Sequence, residues 1–111
     1  ITTDRGQLSQ VMVNIILNAV DAMPNGGTLT IRSRTKDDSV VIEFEDTGVG
    51  IAEEELGRVF DPFYTTQDKR TGLGLAVSYS IIQKLKGSLT VESELGKGSR
   101  FVITLPLDEA R

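Results

Sequence analysis

The run 7-QLSQVMVNIILNAVDAM-23 constrains this chain more than any other stretch. It reads as one helix that ends at Pro24, where the ring forbids continuation. Nearly every central position is apolar, with one exception. At about 100° per residue, Gln7, Gln10, Asn14, Asn18 and Asp21 fall in a narrow stripe along one edge. A solvated face would normally carry Lys and Glu, whereas this one carries mostly uncharged amides. Amide oxygens on a rigid helix can ligate a hard cation such as Mg²⁺, which keeps waters and substrate phosphates as its other ligands. The plainer reading is that the stripe is simply the wet side of an amphipathic helix.

The segments around this helix fix the fold class. Asp4 and Gln7 form a capping box ahead of it, and Asn25-Gly26-Gly27 turns the chain after it. Thr28 to Lys36 alternates as a half-buried strand, and VVIEFED from Val40 pairs with it across Asp37-Asp38 as a hairpin. Ile51 to Val59 predicts a short helix, with Glu53, Glu54 and Glu55 in its dipole-favoured first turn. Gly74 to Lys86 is helical, with Gly87 as its cap, and SLTVESEL and SRFVITLPL close a second hairpin around Gly96-Lys97-Gly98. This order predicts an α+β two-layer sandwich, with helices on one face of a mixed, mostly antiparallel sheet, in a single domain over 1–111.

Composition removes several functions. The net charge of −4, with scattered Lys and Arg, lacks the basic stripe expected of a nucleic-acid binder. Cysteine is absent, which excludes disulfides and thiolate metal sites. Histidine is absent too, and with it an imidazole ligand, base or phospho-acceptor. No apolar run approaches the roughly 20 residues of a membrane-spanning helix. No signal peptide is visible, and the chain opens on Ile1, so the expectation is a soluble domain of a longer protein with no direct membrane contact.

Two glycine-rich stretches divide the remaining chemistry. In 46-DTGVGI-51 a carboxylate stands ahead of two glycines. Two like charges about 4 Å apart repel by roughly 4 kcal/mol at an effective dielectric of about 20, so Asp46 does not suit a phosphate. It can only accept hydrogen bonds, which suits the exocyclic amino group of adenine, and Gly48 and Gly50 would let backbone pass close to a ring. A bare turn after a strand is the alternative. In 71-TGLGLAV-77 glycines precede a helix, leaving unpaired amides at the positive end of its dipole, with Lys69 and Arg70 adding charge. A simple capped helix would look the same. Between them, 60-FDPFYTTQDKR-70 is a long irregular segment of the kind used as a lid, whose Phe60, Phe63 and Tyr64 either cover a ligand or pin the loop.

Taken together, these segments resemble the catalytic ATP-binding domain of sensor histidine kinases, in the Bergerat-fold (GHKL) superfamily. NIILNAVDAM resembles the N box, DTGVGI the first glycine box, FDPFYTT the F box, TGLGLAV the second glycine box, and GKGSRFVITLP the closing glycine hairpin. The resemblance implies ATP and Mg²⁺ as cofactors. It implies Asn18 as the main Mg²⁺ ligand, supported by Asn14, and Asp46 as acceptor for the adenine amino group. Gly48, Gly50 and Ile51 would shape the adenine pocket, residues 60 to 71 would form a mobile lid, and Thr71, Gly72, Leu73, Gly74 and Leu75 would meet the nucleotide. Lys69 and Arg70 would face the phosphates.

The sequence also departs from the family. Asp21 stands where many members carry a basic residue, and Arg70 where a further glycine is common. Asp21 with Ala22 resembles the nitrogen-regulation-type kinases. The family's phospho-acceptor histidine sits in a separate helical dimerisation domain, so the expected partners are that domain of the parent protein and a downstream response regulator, in the cytoplasm. ATP-hydrolysing relatives and serine kinases tend to carry a glutamate where Asn14 stands, and an amide cannot take a proton from water or serine. A nucleotide-binding module without transfer activity is the remaining alternative.

Overall fold

The computed structural model describes residues 5–57 and 69–106. Helix α1 (Arg5–Asp21) leads into strands β1 (Leu29–Lys36) and β2 (Ser39–Asp46). A short α2 (Glu53–Leu56) and a long α3 (Lys69–Lys84) follow, and β3 (Ser88–Glu94) and β4 (Gly98–Pro106) close the fold. The sheet runs β1-β2-β4-β3, and every pairing among these strands is antiparallel. The expected α+β arrangement of helices on a sheet is therefore what forms. The hairpin turn at Asp37 adopts a left-handed φ of 56°, which a short polar side chain tolerates.

Strand alternation sorts the sheet into two faces. Phe44 pairs with Phe101, and Phe101 with Val91, while Ile42, Ile103 and Leu89 form the next rung. This face supplies Phe44, Phe101, Ile103, Leu105 and Leu89 to the core, where they meet Val11 and Ile15 of α1 and Leu75, Ile81 and Ile82 of α3. Val11 and Ile15 are completely buried, whereas Val13, Leu17 and Val20 on the opposite side of α1 are exposed. The amide stripe lies between these two apolar sides.

The other face of the sheet is ionic. Arg34 holds Glu43 at 2.8 Å, Arg32 holds Glu45 at 2.9 Å, and Arg100 holds Glu92 at 2.7 Å. Glu43 is the hub, with Arg32 and Arg100 each at 3.7 Å as well. Although it is nearly covered, the hydrogen bond from Arg34 keeps its carboxyl below the ordinary range, aided by the charges of Arg100 and Arg32 and opposed by burial. Conversely, the hydrogen bond to Glu92 pushes the Arg100 guanidinium up.

Several element boundaries differ from the sequence expectation, among them three helix limits. α1 stops at Asp21 rather than at Met23. The ring of Pro24 disfavours helix in the residue before it, and the last turn tightens as Met23 N–H donates to the Val20 carbonyl at 3.0 Å. α2 begins at Glu53, not Ile51, because Ala52 is extended at ψ 145°. α3 begins at Lys69 rather than at Gly74, so Gly72 and Gly74 lie within the helix. The amides that a helix start leaves unpaired then belong to Lys69 through Gly72. The capping residue Asp4, the terminal Ile1 to Thr3, Val59 and the segment from Phe60 to Gln67, with Phe63 and Tyr64, lie outside the described residues.

Candidate functional site

Asp46 ends β2 with the same parity as Phe44, so its carboxylate enters the helix-facing side of the sheet. It is 3% exposed. Its Oδ1 accepts the Gly48 amide at 2.8 Å and the Ser99 amide at 3.3 Å. No described residue donates to Oδ2. Burial raises the Asp46 pKa above the ordinary carboxylate value, and the two amides pull it partly back. The result is a buried acid with one oxygen held and one oxygen able to accept.

The loop after Asp46 is fastened residue by residue. Thr47 exchanges bonds with Thr28, its amide donating to the Thr28 carbonyl at 3.2 Å and its Oγ1 accepting the Thr28 amide at 3.0 Å. The Val49 amide donates to the Ala22 carbonyl at 2.9 Å, just past the end of α1, and the Val49 carbonyl accepts from Gly96 at 2.8 Å. The Ile51 amide donates to Ser93 Oγ at 2.7 Å. The glycines are needed for this docking. A Cβ on Gly48 would come within 2.5 Å of the Ala22 carbonyl oxygen. At Gly50 the φ is +78° and a Cβ would overlap the Glu94 carbonyl. The sequence suggests that these glycines admit a ring, but the space their missing side chains leave is filled by protein backbone.

Because Ala22 anchors Val49, the acid's loop and the C-terminal half of α1 share one end of the molecule. The amide stripe runs up from there. Asn14 is half-buried and donates from Nδ2 to the fully buried Ser78 of α3 at 3.3 Å. Asn18, one turn on, is also half-buried, and its side chain makes no hydrogen bond to another described residue. Gln10 and Asp21 are exposed and Gln7 is half-buried. This donor set fits Mg²⁺ in a limited way. Among the described residues no group of three or more His, Cys, Asp or Glu could hold a metal alone, so neutral amide oxygens would have to act beside phosphate oxygens.

The remaining residues singled out by the sequence divide three ways. Lys69, Arg70, Thr71, Gly72, Leu73 and Gly74 contribute the first turns of α3, with side chains outside the described set. Phe60 lies outside the described residues altogether. Leu75 is 2% exposed, and its side chain belongs to the core cluster.

Three serines of this end of the fold are not among the residues that the sequence singles out. Ser78 meets Asn14, while Ser93 and Ser99 face each other across the β3–β4 hairpin, their hydroxyl oxygens 2.7 Å apart. A signal for the pair existed. Both share strand parity with the inward-facing Val91 and Phe101, where a polar side chain needs a partner. A groove of about 360 Å³ opens at this end, lined by Asp46, Ser93 and Ser99 together with Glu45, Glu92 and Arg100.

A clamped acidic loop beside an amide-edged helix can be compared with known proteins. Residues 3–109 match the family described as histidine kinase-, DNA gyrase B-, and HSP90-like ATPase. The chain belongs to that family. Among curated relatives of this ATPase-family domain, it is 49% identical over 102 residues to sporulation kinase E of Bacillus subtilis (strain 168), covering 91% of this chain and 14% of that protein. It is 38% identical over 111 residues to the sensor histidine kinase ZraS of Escherichia coli (strain K12), covering 100% of this chain and 24% of that protein. The domain thus spans a quarter or less of these relatives. Among solved structures, a mycobacterial sensor histidine kinase, MprB, superposes with a TM-score of 0.84 at 28% identity, over 94% of this chain and 72% of that one. Full-length ShkA in complex with AMPPNP superposes with a TM-score of 0.85 at 31% identity, over 94% of this chain and 22% of that one.

Proposed function

We propose that this domain binds Mg·ATP and donates the γ-phosphoryl group to a histidine on a separate helical dimerisation domain of its parent protein. The observation that carries the reading is Asp46: a buried carboxylate whose Oδ1 is held by two backbone amides and whose Oδ2 can accept an amino group. An acceptor-only group matches the adenine N6 donor and repels phosphate. The purine therefore lies at Asp46, with Gly48, Gly50 and Ile51 as the loop beneath it. The phosphates extend toward the Asn14 and Asn18 edge and the start of α3.

Asn18, supported by Asn14, would hold Mg²⁺ through amide oxygen, with exposed Asp21 at the stripe's end. When bound, the cation neutralises charge on the transferring phosphates. The free amides of the first α3 turn, and the Lys69 and Arg70 cations, would meet the same phosphates. The protein's part in such a transfer is positioning and electrostatics rather than covalent chemistry. With no histidine in the sequence, the acceptor must come from elsewhere. A response regulator downstream and a cytoplasmic setting complete the proposal. No helix among the described residues is long and apolar enough to cross a membrane.

The test is direct. The chain is titrated calorimetrically with Mg·ATP, then incubated with the parent protein's histidine-bearing helical domain and radiolabelled ATP. Acid-labile, alkali-stable label on the helical domain is expected. Binding without such label would instead make this a nucleotide-binding module, and absence of binding would remove both readings.

A further inference from the structure

The Ser93 hydroxyl sits where three segments meet. It accepts the Ile51 amide of the glycine loop at 2.7 Å and lies 2.9 Å from the Gly98 carbonyl, to which it donates. It also lies 2.7 Å from Ser99 Oγ, whose own backbone amide donates to Asp46. A serine hydroxyl has one proton and two lone pairs, so this site uses its full capacity. When its proton goes to Gly98, the contact with Ser99 is made by the Ser99 proton. The hydroxyl pair is then closed, and Ile51 is linked through the Ser93 and Ser99 hydroxyls to residue 99, whose backbone amide bonds Asp46.

We infer that Ser93 is a positioning residue for purine recognition, a latch that holds the glycine loop against the strand carrying Ser99 and thereby fixes the direction of the Asp46 carboxylate. Both groups that orient Asp46 are linked to it. Gly48 belongs to the loop that Ser93 anchors at Ile51, and Ser99 is its partner across the hairpin. Alanine at this position leaves the Ile51 amide, the Gly98 carbonyl and the Ser99 hydroxyl each short of a partner. A simple packing residue would be expected to shift stability alone. A latch on the recognising acid shifts the preference for a purine that carries an amino group. The inference rests on the adenine assignment proposed above.

The experiment uses the 111-residue chain with two probes, Mg·ATP and the Mg complex of purine riboside triphosphate, which lacks the amino group. The affinity ratio is measured in the unmutated chain, in Ser93→Ala and in Ser93→Thr. The unmutated chain is expected to favour ATP strongly. Ser93→Ala should lose roughly tenfold of that ratio, the scale of one part-buried hydrogen bond left unmade, and Ser93→Thr should restore most of it. An unchanged ratio in Ser93→Ala, whatever its melting temperature, overturns the latch and leaves the adenine assignment standing. No preference in the unmutated chain overturns that assignment, and the latch with it. Should Ser93→Ala not fold, hydrogen exchange in the unmutated chain decides. The Ile51 amide should be strongly protected, and more so with ATP, whereas exchange at the rate of an open loop refutes the latch.

Discussion

Asp46→Asn separates what this residue does for binding from what it does for folding. The asparagine carbonyl can take the place of Oδ1 and keep the bonds from Gly48 at 2.8 Å and Ser99 at 3.3 Å. Its NH₂ group then occupies the place of Oδ2 and points a donor at the adenine amino group. One charge-assisted bond is lost, worth about 1.5–3 kcal/mol, and two facing donors add a penalty of about 1–3 kcal/mol. A combined loss near 3 kcal/mol or more lowers ATP affinity by at least about a hundredfold. Stability moves the other way. The folded-state pKa of Asp46 is raised, chiefly by burial. Its contribution to stability is thus fully present below the unfolded carboxylate pKa and lost as pH rises through the folded value. At pH 7 the ionised group works against folding, and the neutral amide does not. The variant should therefore melt at or above the unmutated chain at pH 7, and the difference should vanish in acid. Calorimetric titration with Mg·ATP and thermal melts from pH 3 to 8 check both halves. An ATP affinity within threefold of the unmutated chain, or a melting temperature several degrees lower at pH 7, refutes the reasoning.

Other perturbations probe different parts of the fold. Asn18→Ala should weaken ATP about tenfold or more at saturating Mg²⁺ but little in EDTA, since on the proposed reading it removes a ligand oxygen and not a base contact; parallel titrations in the two buffers decide. Glu43→Gln should lower the melting temperature at pH 7. The Glu43 pKa is depressed, so its stabilisation is present above the unfolded carboxylate pKa and disappears as pH falls through the folded one; melts across that acid range should converge with those of the unmutated chain. Gly50→Ala should destabilise by at least about 2 kcal/mol, from left-handed backbone strain and overlap with the Glu94 carbonyl, as read from urea unfolding.

Particular residues show how much of the fold and of the site was legible in the sequence. Strands β3 and β4 follow their alternation closely, because one buried face enforces a period of two, whereas β1, read from its sequence as a half-buried strand, lies at the sheet edge and is exposed from Ile31 to Lys36. The helix ends were less legible: α2 starts only at Glu53 because Ala52 is extended, which no residue type in that stretch announces. Asp46 was readable because an acid before two glycines raises an immediate electrostatic question. Ser93 and Ser99 carry only the signal of strand parity, which turns both inward, and their pairing with each other waits on the register. Glu43 likewise reads as an exposed strand carboxylate, and only the register reveals three arginines around it. The glycine roles were legible as a need for small residues, but not as to which atoms need the room.

The fastening of residues 47–51 to α1 on one side and to the hairpin on the other makes that end of the molecule a finished mould before any ligand arrives. Little ordering entropy is then left for the purine to bring about, and fragments as small as adenosine should still be told apart from guanosine there. On the proposed reading, discrimination between bases and grip on the phosphate tail are separable properties, able to change independently by substitution at opposite ends of the site.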